Sequence, residues 1–143
     1  MNEQESREFI ERRAKEEEKT LLSYLSDKFI TEQMVKKEFE ERYDELVLTL
    51  AYMDYLLEEA NKHAKAKNVE SAGRFGAEAK LTKDGLYSFF VSERDVETRG
   101  NMRIIKNLDS LFRPSLIKQE IQEYAMNMYE RGIKKCEVSL LEN

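Results

Sequence analysis

The side chains that could do chemistry in this 143-residue chain are few and widely separated. There is one histidine, His63, and one cysteine, Cys136. Together they cannot supply the nitrogen and sulfur ligands that a zinc site needs. Glu59 shares a predicted helix face with His63, but a di-iron bundle requires a second such pair. We therefore expect no metal ion, no cofactor and no catalytic residue.

One short segment, Glu78-Ala79-Lys80, resembles the Glu-x-Lys signature that metal-dependent nucleases carry on a strand. The strand-end aspartate that should precede it is not evident, and 37% of the residues are charged. We interpret Glu78 and Lys80 as ordinary cross-strand charges, and Cys136 as a buried strand thiol. A metal-dependent nuclease is the enzymatic alternative. The common nucleophile and nucleotide signatures do not occur in the sequence.

The charge is unevenly distributed along the chain. Residues 62–118 hold 12 basic and 7 acidic side chains, whereas the whole chain has a net charge of -5 at pH 7. Clustered basic side chains neutralise nucleic-acid phosphates, so this segment is a candidate contact region. The candidate contacts are Lys62, Lys65, Lys67, Arg74, Arg99, Arg103 and Lys106. The alternative is that these cations face acidic groups of the protein itself.

The N-terminal part of the chain carries the signals of a helical hairpin. Asn2 followed by Glu5 predicts the start of a first helix, and Thr31 predicts the start of a second. Apolar residues then recur in steps of three and four, a heptad-like seam that continues to residue 64. The seam residues of interest are Phe39, Tyr43, Leu46, Leu50, Met53 and Leu57. The second helix is therefore predicted to continue into residues 61–74.

The middle of this second helix is apolar almost all round, which requires packing partners on several sides. The first helix covers one side, and the second half of the chain or a second copy of the protein must cover the rest. Phe9 and Ile10 are adjacent apolar residues on an otherwise charged helix end. They indicate a docking point, or alternatively a local contact. Phe9, Ile10 and the seam residues are the predicted surface for a partner protein or a homodimer.

A buried carboxylate in the apolar stripe, Asp54, requires a partner. We expect an arginine or a tyrosine hydroxyl to pair with it.

Residues 75–91 favour a β-hairpin. Apolar and polar residues alternate there with period two, and a three-residue turn ending at Gly85 gives one apolar face. The apolar residues of the first strand are Phe75, Ala77, Ala79 and Leu81. The rival interpretation is a helix from about Ala72 to Lys83, because Asp-Gly also ends helices.

The remaining C-terminal segments predict two helices and a strand. Ser92 with Asp95 forms a capping box for a third helix, and a fourth helix begins at Pro114 and ends at Gly132. The third helix carries Val96, Ile104, Leu108 and Leu111. Cys136, Val138 and Leu140 alternate with polar residues and predict a C-terminal strand.

The expected architecture is α+β and helix-dominated. It comprises a long N-terminal helical hairpin, a β-hairpin, two helices and a C-terminal strand, with an all-α fold as the alternative. Residues 1–68 form the helical hairpin with the seam. Residues 69–143 form a small α+β unit packed on it, within one cooperative domain.

The composition points to a cytoplasmic protein of a bacterium or a phage-infected cell. Residues 1–13 lack the apolar run of a secretory signal, and no apolar run is long enough to cross a bilayer. We hypothesise a non-enzymatic protein-binding module, an adaptor or inhibitor of the small phage-style accessory type. The alternative is a nucleic-acid-binding accessory or regulatory factor that uses residues 62–118.

Overall fold

A computed structural model describes residues 2–91, 95–108 and 114–142. The N-terminal part forms α1 (Glu3–Ser26), α2 (Glu32–Phe39), a 3₁₀ turn (Glu40–Arg42) and α3 (Tyr43–Lys65). The C-terminal part forms α4 (Val69–Leu86), a 3₁₀ turn (Tyr87–Phe89), β1 (Val96–Arg99), β2 (Met102–Ile105) and α5 (Leu116–Leu141). The prediction of a helix-dominated α+β fold is confirmed.

The predicted helix starts are confirmed, but the second helix is shorter than expected. The Asn2 side chain accepts a hydrogen bond from the Glu5 amide at 2.8 Å, and the Thr31 hydroxyl accepts one from the Met34 amide at 3.3 Å. The predicted continuous helix is wrong, because α2 ends at Phe39 and Glu40 has a positive φ of 52°. That left-handed conformation breaks the helix before α3 begins.

The predicted β-hairpin at residues 75–91 is wrong, and the rival helix is the correct interpretation. Ala72, Ala79 and Leu86 are buried at a seven-residue spacing. This spacing places them on one helix face. Glu78 and Lys80 consequently lie on α4 rather than on a strand.

The predicted third helix is also wrong over residues 96–105, which form a two-stranded antiparallel sheet. Arg99 pairs with Met102 across a turn in which Gly100 has a φ of 63°. Glycine adopts this conformation without steric cost, so Gly100 permits the reversal. Ser92 and Leu111, two other residues assigned to that helix, lie outside the described residues.

Helix α5 is longer than predicted. Its N-cap is Ser115, whose hydroxyl accepts a hydrogen bond from the Lys118 amide at 3.2 Å, so Pro114 precedes the helix. The predicted end at Gly132 and the predicted C-terminal strand are wrong, because the helix continues to Leu141. Cys136 is buried, on this helix rather than on a strand.

Helix α3 lies at the centre of the molecule and packs against α1, α4 and α5. One apolar core contains all six seam residues together with residues of the other helices, including Leu21, Ala79 and Ile121. The chain therefore supplies the packing partners that the apolar waist of α3 requires. Within the described segments, no helix combines the length and the apolar character needed to cross a bilayer.

Candidate binding cleft between α3 and α5

Helices α3 and α5 run side by side in the same direction. Leu57 of α3 lies against Gly132 of α5, and further along the Ser139 hydroxyl donates a hydrogen bond to the Asn61 side chain at 2.8 Å. A Cβ at residue 132 would lie 2.8 Å from Leu57 Cδ1. The two helices approach this closely because residue 132 has no side chain.

Helix α1 covers the groove between α3 and α5 over only part of its length. The C-terminal half of α1 lies close to α5, because the Tyr124 hydroxyl of α5 donates a hydrogen bond to Glu17 of α1 at 2.5 Å. In its N-terminal half, Phe9 packs edge-on against Tyr55 of α3, with ring centroids 5.4 Å apart. Tyr55 and Leu57 are two residues apart, so they point to opposite sides of α3. Phe9 therefore packs on the side of α3 away from Leu57.

The open part of the groove holds two adjoining hollows, of which the outer one is wide open to solvent. An inner hollow of about 270 Å³ and an outer one of about 700 Å³ share three lining residues, Asn61, Arg131 and Lys135. The inner hollow is also lined by Asp54, Leu57, Glu58, Met128 and Gly132. The outer hollow is also lined by Lys65, Lys134, Val138, Ser139 and Glu142. We call the whole feature the α3–α5 cleft.

The inner end of the cleft is closed by an ion-pair cluster. Arg13 of α1 pairs with Asp54 at 2.7 Å and with Glu58 at 2.8 Å. Its guanidinium also lies 5.8 Å from the centre of the Phe9 ring and 6.0 Å from that of Tyr55, within cation–π range. The expectation that Asp54 has an arginine partner is confirmed. The positive charge of Arg13 therefore already partly neutralises the negative charges of Asp54 and Glu58.

Burial controls the protonation of the carboxylates beside this cluster. Burial raises the pKa of Asp54, and the positive charge of Arg13 opposes that change. Burial also raises the pKa of Glu17, although the hydrogen bond from Tyr124 lowers it. Both groups hold their protons more tightly than an exposed carboxyl does.

The outer end of the cleft is positively charged. Lys65 of α3 and three residues of α5, Arg131, Lys134 and Lys135, line the cleft. Among the residues that the structure describes, no carboxylate lies within ion-pair distance of these side chains. Arg131 donates a hydrogen bond to the Asn127 carbonyl at 3.2 Å. The four cations thus form no ion pair with the described residues, although the charge of Lys135 reaches Asp54 and Glu142 lines the outer hollow with them.

The structure buries the seam residues that were expected to contact a partner. Phe39, Tyr43, Leu46, Leu50, Met53 and Leu57 are each less than 7% exposed within this single chain. Of the two alternatives for covering them, the second half of the chain or a second copy, the structure shows the first, because α4 and α5 pack on them together with α1. Their prediction as a partner or dimer surface is therefore wrong. Phe9 and Ile10 are half-buried, and Phe9 makes the local contact with Tyr55 described above.

The predicted basic segment does not form one compact cluster. Lys62, Lys65 and Lys67 precede the N-terminus of α4, while Arg99, Arg103 and Lys106 follow its C-terminus. The 18 residues of α4 separate its ends by about 27 Å. Arg74 is exposed on α4, and its guanidinium donates a hydrogen bond to the Ser71 hydroxyl at 3.3 Å. Of these seven residues, only Lys65 lines the cleft.

Lys67 has a structural role at the rim of the cleft. Its ammonium group donates hydrogen bonds to the carbonyls of Ser139, at 2.5 Å, and of Glu142. These carbonyls belong to the last turn and C-cap of α5, where helical partners are lacking. Lys67 therefore caps the C-terminal end of α5, and its role as a phosphate contact stays a prediction.

The sequence interpretation missed the cations of α5, although a signal was present. Arg131, Lys134 and Lys135 are three and four residues apart, which places them on one face of a continuous helix. The predicted helix end at Gly132 divided this face between a helix and a strand. Arg13 was missed because its ion pairs with Asp54 and Glu58 depend on the packing of α1 against α3.

The comparisons with known proteins identify no relative of this chain. No protein-family model, no curated protein and no solved structure matches the chain.

Proposed function

We propose that this protein is a non-enzymatic protein-binding module whose α3–α5 cleft binds a segment of another protein. The observation that supports the proposal is an open cleft between two helices, with the buried side chains of Leu57 and Met128 at its base, the exposed side chain of Val138 in its outer part, and polar walls. Concave surfaces that combine apolar area with a few polar groups are typical of binding sites. Grooves between helices accept peptide segments in particular.

The dimensions of the cleft suit a short segment. Along α5 it extends from Met128 to Glu142, about 21 Å at the rise of an α-helix. An extended segment of about six residues spans that length. A helical segment of about 14 residues spans it as well.

A protein segment fits the cleft better than a nucleic acid does. Asp54, Glu58 and Glu142 line the same cleft as the cations. A continuous phosphate backbone would pass these carboxylates and be repelled by them. A peptide avoids this repulsion because its charged side chains need to occur only opposite the cations.

Site-specific crosslinking tests the proposal. The photoreactive amino acid benzoylphenylalanine replaces Val138 in the cleft or, as a matched control, Leu81, which is exposed on α4. After irradiation in the cells that produce the protein, we expect a discrete protein adduct from position 138 and not from position 81. Equal adducts from both positions, or none from position 138, would contradict the proposal. A nucleic-acid adduct at position 138 would support the alternative function.

A further inference from the structure

We infer that the segment bound in the α3–α5 cleft is acidic, with its carboxylates opposite Lys65, Arg131, Lys134 and Lys135 and an apolar side chain on Val138. This inference rests on the proposed function, and it specifies the chemistry of the partner. The partner class is a peptide segment that carries glutamate or aspartate next to a large apolar residue.

The first argument is the concentration of cations that make no ion pair with the described residues. Arg131 and Lys135 are four residues apart on α5, and Arg131 and Lys134 are three apart. Like charges at these spacings on a helix repel each other and destabilise it. The chain as a whole is acidic, with a net charge of -5, yet none of the described carboxylates pairs with these side chains. Carboxylates of a bound segment would relieve this repulsion.

The second argument is the separation of charge along the cleft. At the inner end, Arg13 already pairs with Asp54 and Glu58. Arg131 and Lys135 line both hollows, whereas Lys65 and Lys134 line only the outer one. Four cations and one carboxylate, that of Glu142, line the outer hollow, so the carboxylates of a ligand are attracted there. The cleft therefore sets the orientation of the bound segment, with its acidic part toward the C-terminal end of α5.

The third argument concerns the end of α5, which would otherwise repel an acidic ligand. The C-terminus of a helix carries partial negative charge on its free carbonyls. Lys67 donates hydrogen bonds to the carbonyls of Ser139, Leu140 and Glu142 at this end. This cap reduces the negative potential at the rim, beside Lys65 and Lys134.

The fourth argument is the apolar contact that Val138 offers. Val138 follows Lys134 by one helical turn and is 46% exposed. It lies on the same side of α5 as the cations and lines the outer hollow with them. An apolar side chain placed on Val138 would be buried while its acidic neighbours meet the cations. Because of this combination, the cleft should bind an acidic peptide with an apolar side chain more tightly than an anion without one.

Fluorescence anisotropy with defined probes tests the inference. The probe is a fluorescein-labelled peptide of glutamate and leucine, and its control is the same peptide with lysine in place of every glutamate. We expect only the acidic peptide to bind the wild-type protein, and we expect binding to weaken as salt rises. The variant Lys134→Glu/Lys135→Glu should bind it at least about tenfold more weakly.

A second variant controls for net charge. Arg74→Glu/Lys80→Glu introduces the same change in net charge at exposed positions of α4, and it should bind the acidic peptide as the wild type does. Equal losses in both variants would overturn the inference, because the peptide would then respond only to total charge. Circular dichroism melting of each variant establishes that it is folded.

The outcomes separate this inference from the proposed function. If position 138 crosslinks a partner protein but the acidic peptide does not bind, the cleft binds a different chemistry and only the inference is wrong. If position 138 crosslinks no partner and the peptide does not bind, both are wrong. If a single-stranded DNA oligonucleotide binds, and Lys134→Glu/Lys135→Glu weakens its binding while the peptide does not bind, the inference is wrong and the nucleic-acid function is favoured.

Discussion

Gly132 of α5 lies directly against the side chain of Leu57 of α3, where an added Cβ would come within 2.8 Å of Leu57 Cδ1. Both residues line the inner hollow of the α3–α5 cleft. The spacing of the two helices, and therefore the width of the cleft, depends on the absence of a side chain at this position.

Substitution of this glycine should therefore destabilise the protein. In Gly132→Ala, the new methyl group overlaps Leu57, including its Cβ, which cannot move without the backbone. We expect the free energy of unfolding to fall by about 1–2 kcal/mol, despite a helix-propensity gain of about 1 kcal/mol. Gly73→Ala is the matched control, because nothing lies within 4 Å of its added Cβ. Urea denaturation measures both, and a stabilised Gly132→Ala would contradict the close packing.

The hydrogen bond between Tyr124 and Glu17 should contribute strongly to stability. Glu17 is 8% exposed, so Tyr124→Phe leaves a buried carboxyl without its donor. We expect a loss of about 1–3 kcal/mol in the free energy of unfolding. Tyr24→Phe should cost less, because the Tyr24 hydroxyl reaches Glu120 only at 3.4 Å. Equal effects of the two substitutions in urea denaturation would show that the Tyr124 hydrogen bond is unimportant.

Glu17 should also affect how stability depends on pH. Burial raises its pKa in the folded protein, so the folded state binds this proton more tightly than the unfolded chain. The contribution of Glu17 to the free energy of unfolding therefore falls as pH rises from its ordinary pKa through the raised value. In Glu17→Gln that contribution is absent. Wild-type stability minus variant stability should accordingly decrease between acidic and neutral pH.

Thermal melts across this pH range measure the difference, and Glu16→Gln, an exposed neighbour on α1, controls for the change in net charge. A constant difference between wild type and Glu17→Gln would mean that Glu17 has the same pKa in both states.

Arg13 should hold the N-terminal half of α1 against α3. In Arg13→Ala, the ion pairs with Asp54 and Glu58 and the cation–π contacts with Phe9 and Tyr55 are lost together. The ion pairs are partly exposed, so we expect a loss of only about 1 kcal/mol in total stability. Amide hydrogen exchange should nevertheless become faster in the first half of α1.

Arg12→Ala is the matched control for this effect, because Arg12 is the exposed neighbour on the same helix. Its amide exchange should resemble that of the wild type. If both variants exchange equally fast, helix propensity rather than the Arg13 contacts explains the result.

The parts of the fold that the sequence predicted correctly are those that depend on near neighbours. A helix cap involves residues three apart, as at Asn2 and Thr31, so it can be recognised without knowing the rest of the structure. The need of Asp54 for a partner also followed from its apolar surroundings. The break at Glu40 was missed because the seam spacing continues across it.

The wrong predictions concern segments with two compatible local patterns. In residues 75–81, alternating apolar and polar residues fit a strand, but Ala72, Ala79 and Leu86 also form one helix face. Packing against α3 selects the helix, since that face enters the core. At Gly132 the local pattern indicates a helix end. The close contact with Leu57 instead accounts for the glycine.

The sequence by itself determined the helical character of the chain, the starts of its first helices, and the lack of histidine and cysteine for a metal site. Only the tertiary structure decided that the apolar seam is enclosed and that Lys65 joins Arg131, Lys134 and Lys135 in one cleft. Capping and amphipathic patterns act within a few residues along the chain. The cleft instead arises where distant helices pack, and their spacing depends on contacts such as that of Leu57 with Gly132, which sequence periodicity does not encode.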